Sequence, residues 1–427
     1  MQRIYSIFGP VIVLAAALAG CRVYFEADHD SQGQSFPSQI NAEAYHINFI
    51  NPMTEFNLPL STSGAKIVDR LGMRVKLSSV NWYGASDAHH VVMGLDKAHI
   101  DTIIAQIKKI GFNSVRLPFS NQMLYEEGPV PDRFLIKNPQ LYGSSPLEVF
   151  DAVISALSQH GLLVILNNHT TTGKWCCNGN DGNGLWVNTE QSSLKWMLDW
   201  EFLIKRYQSN PMVVGADLRN EVRDDGSYRA NWGKGGPFDF HRVSEELGNR
   251  LLTINPNLLI IIEGLHFSSN FSYYDHTPVQ LIYPNKVVFS PHLYAWSTLP
   301  NGKSFGSYNT YAEFLAAVNK MLRPLYKNGQ AIAPIWFGEW GYSQENLHSA
   351  EHFPNFMHRF LKESGLDWAW WPLNVGYKPA SEDYESWGLL AENWQDLKKN
   401  DPRLLKIKEL ITDSKATKKA KNENVIH

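Results

Sequence analysis

Val213-Val-Gly-Ala-Asp-Leu-Arg-Asn-Glu221 is a short apolar run that ends in a polar cluster, and the same pattern recurs along the chain. Leu162-Leu-Val-Ile-Leu-Asn167 follows a helix-like stretch that closes at Gly161. Ser114-Val-Arg-Leu-Pro118 and Pro334-Ile-Trp-Phe-Gly-Glu339 repeat it. Eight strand-like segments fall at 76–81, 114–118, 162–167, 213–218, 258–263, 287–291, 332–338 and 367–372. Helix-like segments at 97–110, 146–160, 194–207, 241–254, 311–326, 351–364 and 402–411 alternate with them. Several of the strands are continuous apolar runs, as strands buried on both faces are in a parallel sheet wrapped by helices. A doubly wound open sheet would gather its ligand at one switch point. Here polar residues trail almost every strand, which favours closure. The expectation is an α/β fold, a (β/α)8 TIM barrel over 59–412.

The flanks read differently. Arg3 precedes an apolar stretch at 7–19, shorter than the roughly 20 residues a membrane span needs. It ends in Leu18-Ala19-Gly20-Cys21, which resembles the lipobox of bacterial lipoproteins. Residues 1–20 are therefore expected to be a lipoprotein-type signal peptide, with Cys21 lipidated and the chain anchored to a bacterial membrane. Simple cleavage and secretion is the alternative. Residues 21–58 read as a tether and extended lead-in, and 66–80 as an N-terminal hairpin turning at Leu71-Gly72. Residues 413–427, with Lys415, Lys418, Lys419 and Lys421, read as a disordered basic tail.

Composition limits the partners. A chain of 427 residues with 44% hydrophobic content can bury one large core or two ordinary ones. The net charge of -3 and the lack of a basic stripe argue against nucleic acid. A monomer is expected. Cys176 and Cys177 are adjacent, and both a vicinal disulfide and two free thiols are compatible with that spacing. With no third ligand nearby they do not make a zinc site. The Asn/Asp/Gly run at 178–184 offers oxygen ligands but lacks the bidentate Glu of a calcium loop, so it reads as a turn and no metal is expected.

In such a barrel the functional face lies at the C-terminal ends of the strands. In order, those ends carry Trp82, Arg116, His169, Asn220 with Glu221, Glu263, His292 with Tyr294, Glu339, and Trp370 with Trp371. Singly, each has an ordinary structural explanation: a core histidine, a bonded tyrosine, or Glu263 paired with a cation. Together they form an ordered set, and two carboxylates among them suit acid/base work on a sugar bond. A regular strand cannot aim both Asn220 and Glu221 into one cleft, so a bulge or sharp bend is expected there.

Val115-Arg-Leu-Pro-Phe119, Asn168-His169, Leu218-Arg-Asn-Glu221, Pro291-His-Leu-Tyr294, Phe337-Gly-Glu-Trp340 and Trp368-Ala-Trp-Trp371 resemble glycoside hydrolase family 5, the cellulase-like retaining β-glycosidases, across roughly 60–412. The resemblance implies Glu221 as acid/base and Glu339 as nucleophile, with Arg116 and Tyr294 holding Glu339. It places His169, Asn220 and His292 near the reacting sugar and Trp371 beneath it, with Trp370 competing for that last place. One departure is that Val222 and Arg223 follow Asn-Glu where the family commonly has Pro. The implied activity is hydrolysis of a β-linked polysaccharide, an endo-β-1,4-glucanase first, without a cofactor. Mannan, xyloglucan or a glycolipid glucoside would suit the same mechanism. A carbohydrate-binding protein without catalysis is the remaining reading, and retention of both glutamates with Arg116 argues against it.

Overall fold

Leu163 and Ile165 belong to one apolar cluster, and Val164 and Leu166 to another. Leu259 and Ile261 divide from Ile260 and Ile262 in the same way. Side chains alternate across a strand, so these runs face two separate cores, one inside a closed sheet and one between the sheet and its helices. The computed structural model describes residues 55–299, 302–343, 350–378 and 383–423. Cys21, the expected signal peptide and most of the lead-in lie outside the described residues.

The strands are β1 (Ser78–Asn81), β2 (Ser114–Ser120), β3 (Leu163–Thr170), β4 (Val213–Asp217), β5 (Leu259–Glu263), β6 (Val287–Ser290, resuming at His292–Leu293), β7 (Trp336–Trp340) and β8 (Asp367–Trp370). Each pairs in parallel with its sequence neighbour, and β8 pairs with β1. The gap in β6 is at Pro291. Phe289 donates to the Pro334 carbonyl at 2.9 Å, and His292 and Leu293 pair with Glu339 and Trp340, which closes the cylinder. The expected barrel is present.

Its helices are α1 (Ile100–Ile110), α2 (Pro146–Gln159), α3 (Ser193–Tyr207), α4 (Phe240–Ile254), α5 (Tyr311–Leu322), α6 (Phe353–Ser364) and α7 (Pro402–Glu423). Local chemistry sets their ends. Ser145 and Glu148 form a reciprocal capping box at the start of α2. Gly111 and Gly365 close α1 and α6 at positive φ. The connection from β5 to β6 has only the four-residue turn Leu265–Ser268. Among the described residues no helix is long and apolar enough to cross a membrane.

The structure refines the reading in three places. The expected hairpin turn at Leu71-Gly72 is present: Asp69 donates its backbone N–H to the Met73 carbonyl at 2.9 Å, Val75 donates to the Ile67 carbonyl at 3.0 Å, and the Asp69 carboxylate accepts from Leu71 and Met73. A further hairpin, not read from the sequence, pairs Ser61–Ser63 with Lys66–Val68 around Gly64. The seventh strand begins at Trp336, not 332, because Gln330 and Ala331 pair back with Tyr326 and Lys327 and Pro334 interrupts the run. Finally, α7 runs on to Glu423, past the last helix expected at 402–411.

Leu60 and Ile67 of the hairpin segment pack with Leu77, Ile165, Ile261, Val288 and Trp336 in the inner core. The plug fills one end of the barrel with apolar side chains. Further along the strands the inward positions become polar: Asn81, Arg116, Asn167, Asp217, Glu263 and His292 are all buried. The Cβ of a residue replacing Gly215 would stand 3.0 Å from Ile261, so Ile261 fills the place a side chain would take on β4. Ile261→Ala should therefore leave a cavity that cannot collapse, with a loss of about 2–5 kcal/mol in urea unfolding.

Candidate active site

Arg116 projects inward from β2 and is fully buried. Its Nε donates to Asp217 at 2.8 Å, Nη1 to Asn81 at 2.9 Å and to Glu339 at 2.5 Å, and Nη2 to Asn220 at 2.8 Å and to Glu263 at 3.0 Å. A guanidinium has five N–H donors, and all are used. Asn81 in turn donates to the Gly338 and Trp370 carbonyls, and Asn167 donates to Asp217 at 3.0 Å. Arg116 thus gathers five side chains, from β1, β4 and the bend after it, β5 and β7. Burial raises the Glu263 pKa well above the usual carboxylate range, with Asp217 adding to it and Arg116 opposing.

Glu339 lies in β7 where the pairing with β8 shifts between Phe337 and Trp340. That irregularity turns its carboxylate into the barrel. Its second oxygen accepts from the Tyr294 hydroxyl at 2.8 Å. Burial pushes its pKa up, against His292, Arg116 and the Tyr294 hydrogen bond. Glu221 takes positive φ (47°) four residues beyond the end of β4. This is the expected sharp bend, and it lets Asn220 and Glu221 face the same space. The Glu221 amide donates to Glu263 at 2.7 Å, which fixes the bend. Burial also raises the Glu221 pKa, opposed by Arg223 and Arg116.

His292 bridges the two glutamates. Its Nδ1 is 3.0 Å from a Glu221 oxygen and 3.7 Å from a Glu339 oxygen. Burial depresses its pKa to about 4, so the imidazole is neutral across the ordinary working range. Carboxylate oxygens of Glu221 and Glu339 and a nitrogen of His292 all lie within 4.8 Å of one another. Two carboxyl groups about 5–5.5 Å apart are what double displacement at a sugar carbon requires.

Above this group lies an aromatic wall. Trp371 stacks on Tyr83 (5.3 Å, 14°) and on His169 (5.6 Å, 4°). Burial, with Arg116, Arg219 and Arg223 nearby, drives the His169 pKa well down, and its Nδ1 meets Asn167 Oδ1 at 2.8 Å. Trp370 packs away from the cleft against Trp340 and Tyr342, which leaves Trp371 as the one beside Tyr83 and His169. Trp82 also faces outward, in the core between barrel and helices. The site gathers the sequence-predicted Arg116, His169, Asn220, Glu221, His292, Tyr294, Glu339 and Trp371. Glu263 pairs with Arg116 as its ordinary explanation supposed. Asn81, Asn167 and Asp217 were missed, although each is the polar partner of an apolar neighbour near a strand's end. Trp296 was also missed: it is 60% exposed and stacks on Tyr294 at 4.6 Å.

Arg223 occupies the place that departs from the resembled pattern. It donates to the Glu221 carbonyl at 3.0 Å, to the Asn178 carbonyl at 2.9 Å and to Asp181 at 2.6 Å. It therefore ties the glycine-rich segment after Cys177 to the Glu221 bend. Within that segment Asp181 accepts from the Asn178 and Asn183 amides, and Asn183 accepts from the Thr171 amide, in keeping with its reading as a turn.

Residues 73–376 match the family model described as cellulase (glycosyl hydrolase family 5). An endoglucanase of Paenibacillus polymyxa is 32% identical over 350 residues, covering 78% of this chain and 82% of that protein. The major extracellular endoglucanase of Xanthomonas campestris pv. campestris is 25% identical over 360 residues, covering 80% and 69%. The solved catalytic domain of the major endoglucanase from that organism superposes with a TM-score of 0.69 at 23% identity, covering 82% of this chain and 99% of its own. An endocellulase of Pyrococcus horikoshii, solved in complex with cellotetraose, gives a TM-score of 0.69 at 23% identity, covering 84% and 100%.

Removing Arg116 would strand buried carboxylates. Arg116→Ala should cost at least about 3–5 kcal/mol in denaturant unfolding. Arg116→Lys, which keeps the charge but not the planar fork, should recover only part of that stability.

Proposed function

The chain belongs to glycosyl hydrolase family 5, and from that premise we propose that it is a retaining endo-β-1,4-glucanase with Glu339 as nucleophile and Glu221 as acid/base. The approach of the two carboxylates to within 4.8 Å, on a surface shared with His292, carries this reading. The endoglucanase names of its relatives support β-1,4-glucan as the substrate.

Glu339 attacks the anomeric carbon while Glu221 gives its proton to the departing glycosidic oxygen. The C–O bond to the leaving sugar breaks as the ester to Glu339 forms. Glu221, now ionised, takes a proton from water, the resulting hydroxide equivalent attacks the same carbon, and Glu339 is released. Two direct donors, Arg116 and Tyr294, hold negative charge on Glu339. Among the described residues no arginine or tyrosine side chain is bonded directly to the Glu221 carboxylate, which meets the neutral His292 at 3.0 Å. Asn220 and His169 would meet the reacting sugar's hydroxyls, and Trp371 would stack beneath its ring.

The two glutamates separate by leaving group. Glu221→Gln should lower turnover of a β-1,4-glucan by ~10²–10⁴ yet keep most of kcat/KM on an aryl cellobioside whose phenol leaves unaided, while kcat on that substrate falls because the base that activates water is also lost. Glu339→Gln should lose both. Equal loss of both substrates in both variants would refute the assignment. The pH profile has a defined sign. Glu221 must be protonated to act as acid, and burial raises its pKa. Activity on glucan should therefore persist above the usual carboxylate range and fall as pH rises through that raised value, and Glu221→Gln should lose this limb on the aryl substrate.

We further propose that the protein is exported and tethered through lipid on Cys21, on the strength of the apolar stretch at 7–19 and Leu18-Ala19-Gly20-Cys21. Intact mass of the mature protein from a bacterial host should show acylated Cys21 as its first residue. An unmodified start elsewhere would contradict this.

A further inference from the structure

Cys176 and Cys177 form a vicinal disulfide beside the catalytic pair. The Asn220 carboxamide lies between two fixed groups. Its oxygen accepts from Arg116 at 2.8 Å, and its nitrogen stands 3.6 Å from the sulfurs of both Cys176 and Cys177. Both sulfurs lie within 4.8 Å of a Glu221 carboxylate oxygen. Their position is itself fixed: Arg223 bonds to Asn178 and Asp181 just beyond them and to the Glu221 carbonyl. Trp175, on their other side, packs edge-on to Tyr83 at 5.1 Å and lies 6.4 Å from Trp371. The segment thus runs from the aromatic wall to the acid/base.

We propose that the Cys176–Cys177 disulfide is a positioning element for the reacting sugar, holding the Asn220 amide N–H groups towards the cleft and walling the space beside Glu221. The physical reason lies in the acceptor. Sulfur is a weak hydrogen-bond acceptor, so it orients the amide without competing strongly with an incoming hydroxyl. Water or a serine in that place would bind the amide more firmly and would have to be displaced. The bonded pair also presents no ionisable thiol next to Glu221. This inference rests on the glycosidase reading of the site.

A double-mutant cycle tests it. Cys176→Ala/Cys177→Ala should lower kcat/KM on β-1,4-glucan about tenfold, in KM as well as kcat, because a misdirected Asn220 amide weakens sugar binding and small misplacements at a reacting centre cost rate. In an Asn220→Ala background the same change should add almost nothing, since contacting residues are non-additive. Equal factors in both backgrounds, or no change in either, would overturn the proposal. A merely structural disulfide would lower the melting temperature and give equal factors. Should the alanine pair fail to fold, the wild-type protein can be reduced with a water-soluble phosphine. The disulfide takes two electrons and two protons to give two thiols, and the phosphine becomes its oxide with oxygen from water. The same non-additivity with Asn220→Ala is expected. A wild-type chain inactive on every β-1,4-glucan defeats the glycosidase reading instead. Calorimetric binding of cellotetraose to the same four proteins then decides the coupling independently of turnover.

Discussion

Arg116 engages every one of its donors inside the barrel, and the site exists because it does. Asp217, Glu263 and Glu339 would repel one another in a space from which water is largely excluded. One planar cation among them makes their burial tolerable. It also sets geometry, because a guanidinium fork accepts partners only in its plane. Glu339 and Asn220 are aimed by the same group, one from β7 and one from the bend after β4. The distance across the cleft is thereby fixed by a single side chain.

The proposed division of labour between the glutamates rests on what each lacks. Burial favours the neutral form of both. Glu339 receives direct bonds from Arg116 and Tyr294, and both stabilise its anion. Glu221 has the neutral His292 and the more distant Arg116 and Arg223. Two carboxyls in one cavity cannot both be comfortably ionised, so the better-bonded one carries the charge and the other keeps its proton. His292, depressed to about 4, joins them without adding charge.

Much of this could be read from sequence. The strand-helix alternation yields all eight barrel strands because strands buried on two faces are long apolar runs, and that signal does not depend on register. Glu221, Glu339 and Arg116 stand out as charged groups at the ends of such runs. The bend at Glu221 follows from two neighbouring side chains needing one cleft. Register is what sequence leaves open. Asn81, not Trp82, faces inward, and Trp371 rather than Trp370, because the sheet's stagger decides which of two neighbours points to the axis. Asn167 and Asp217 become partners only when β3 and β4 are aligned. The hairpin at Gly64 was hidden by a stronger turn signal at Leu71-Gly72. The role of Arg223 could not be read at all, since its partners Asp181 and Asn178 belong to a loop without periodicity.

Paired carboxylates so close together predict a stereochemical outcome. Proton NMR of the first sugar released from a β-1,4-linked oligosaccharide tests that most directly. Double displacement through Glu339 gives the β-anomer first, with the α-anomer growing in only by mutarotation. An initial α-anomer would mean a single displacement by water, and the nucleophilic role of Glu339 would be wrong.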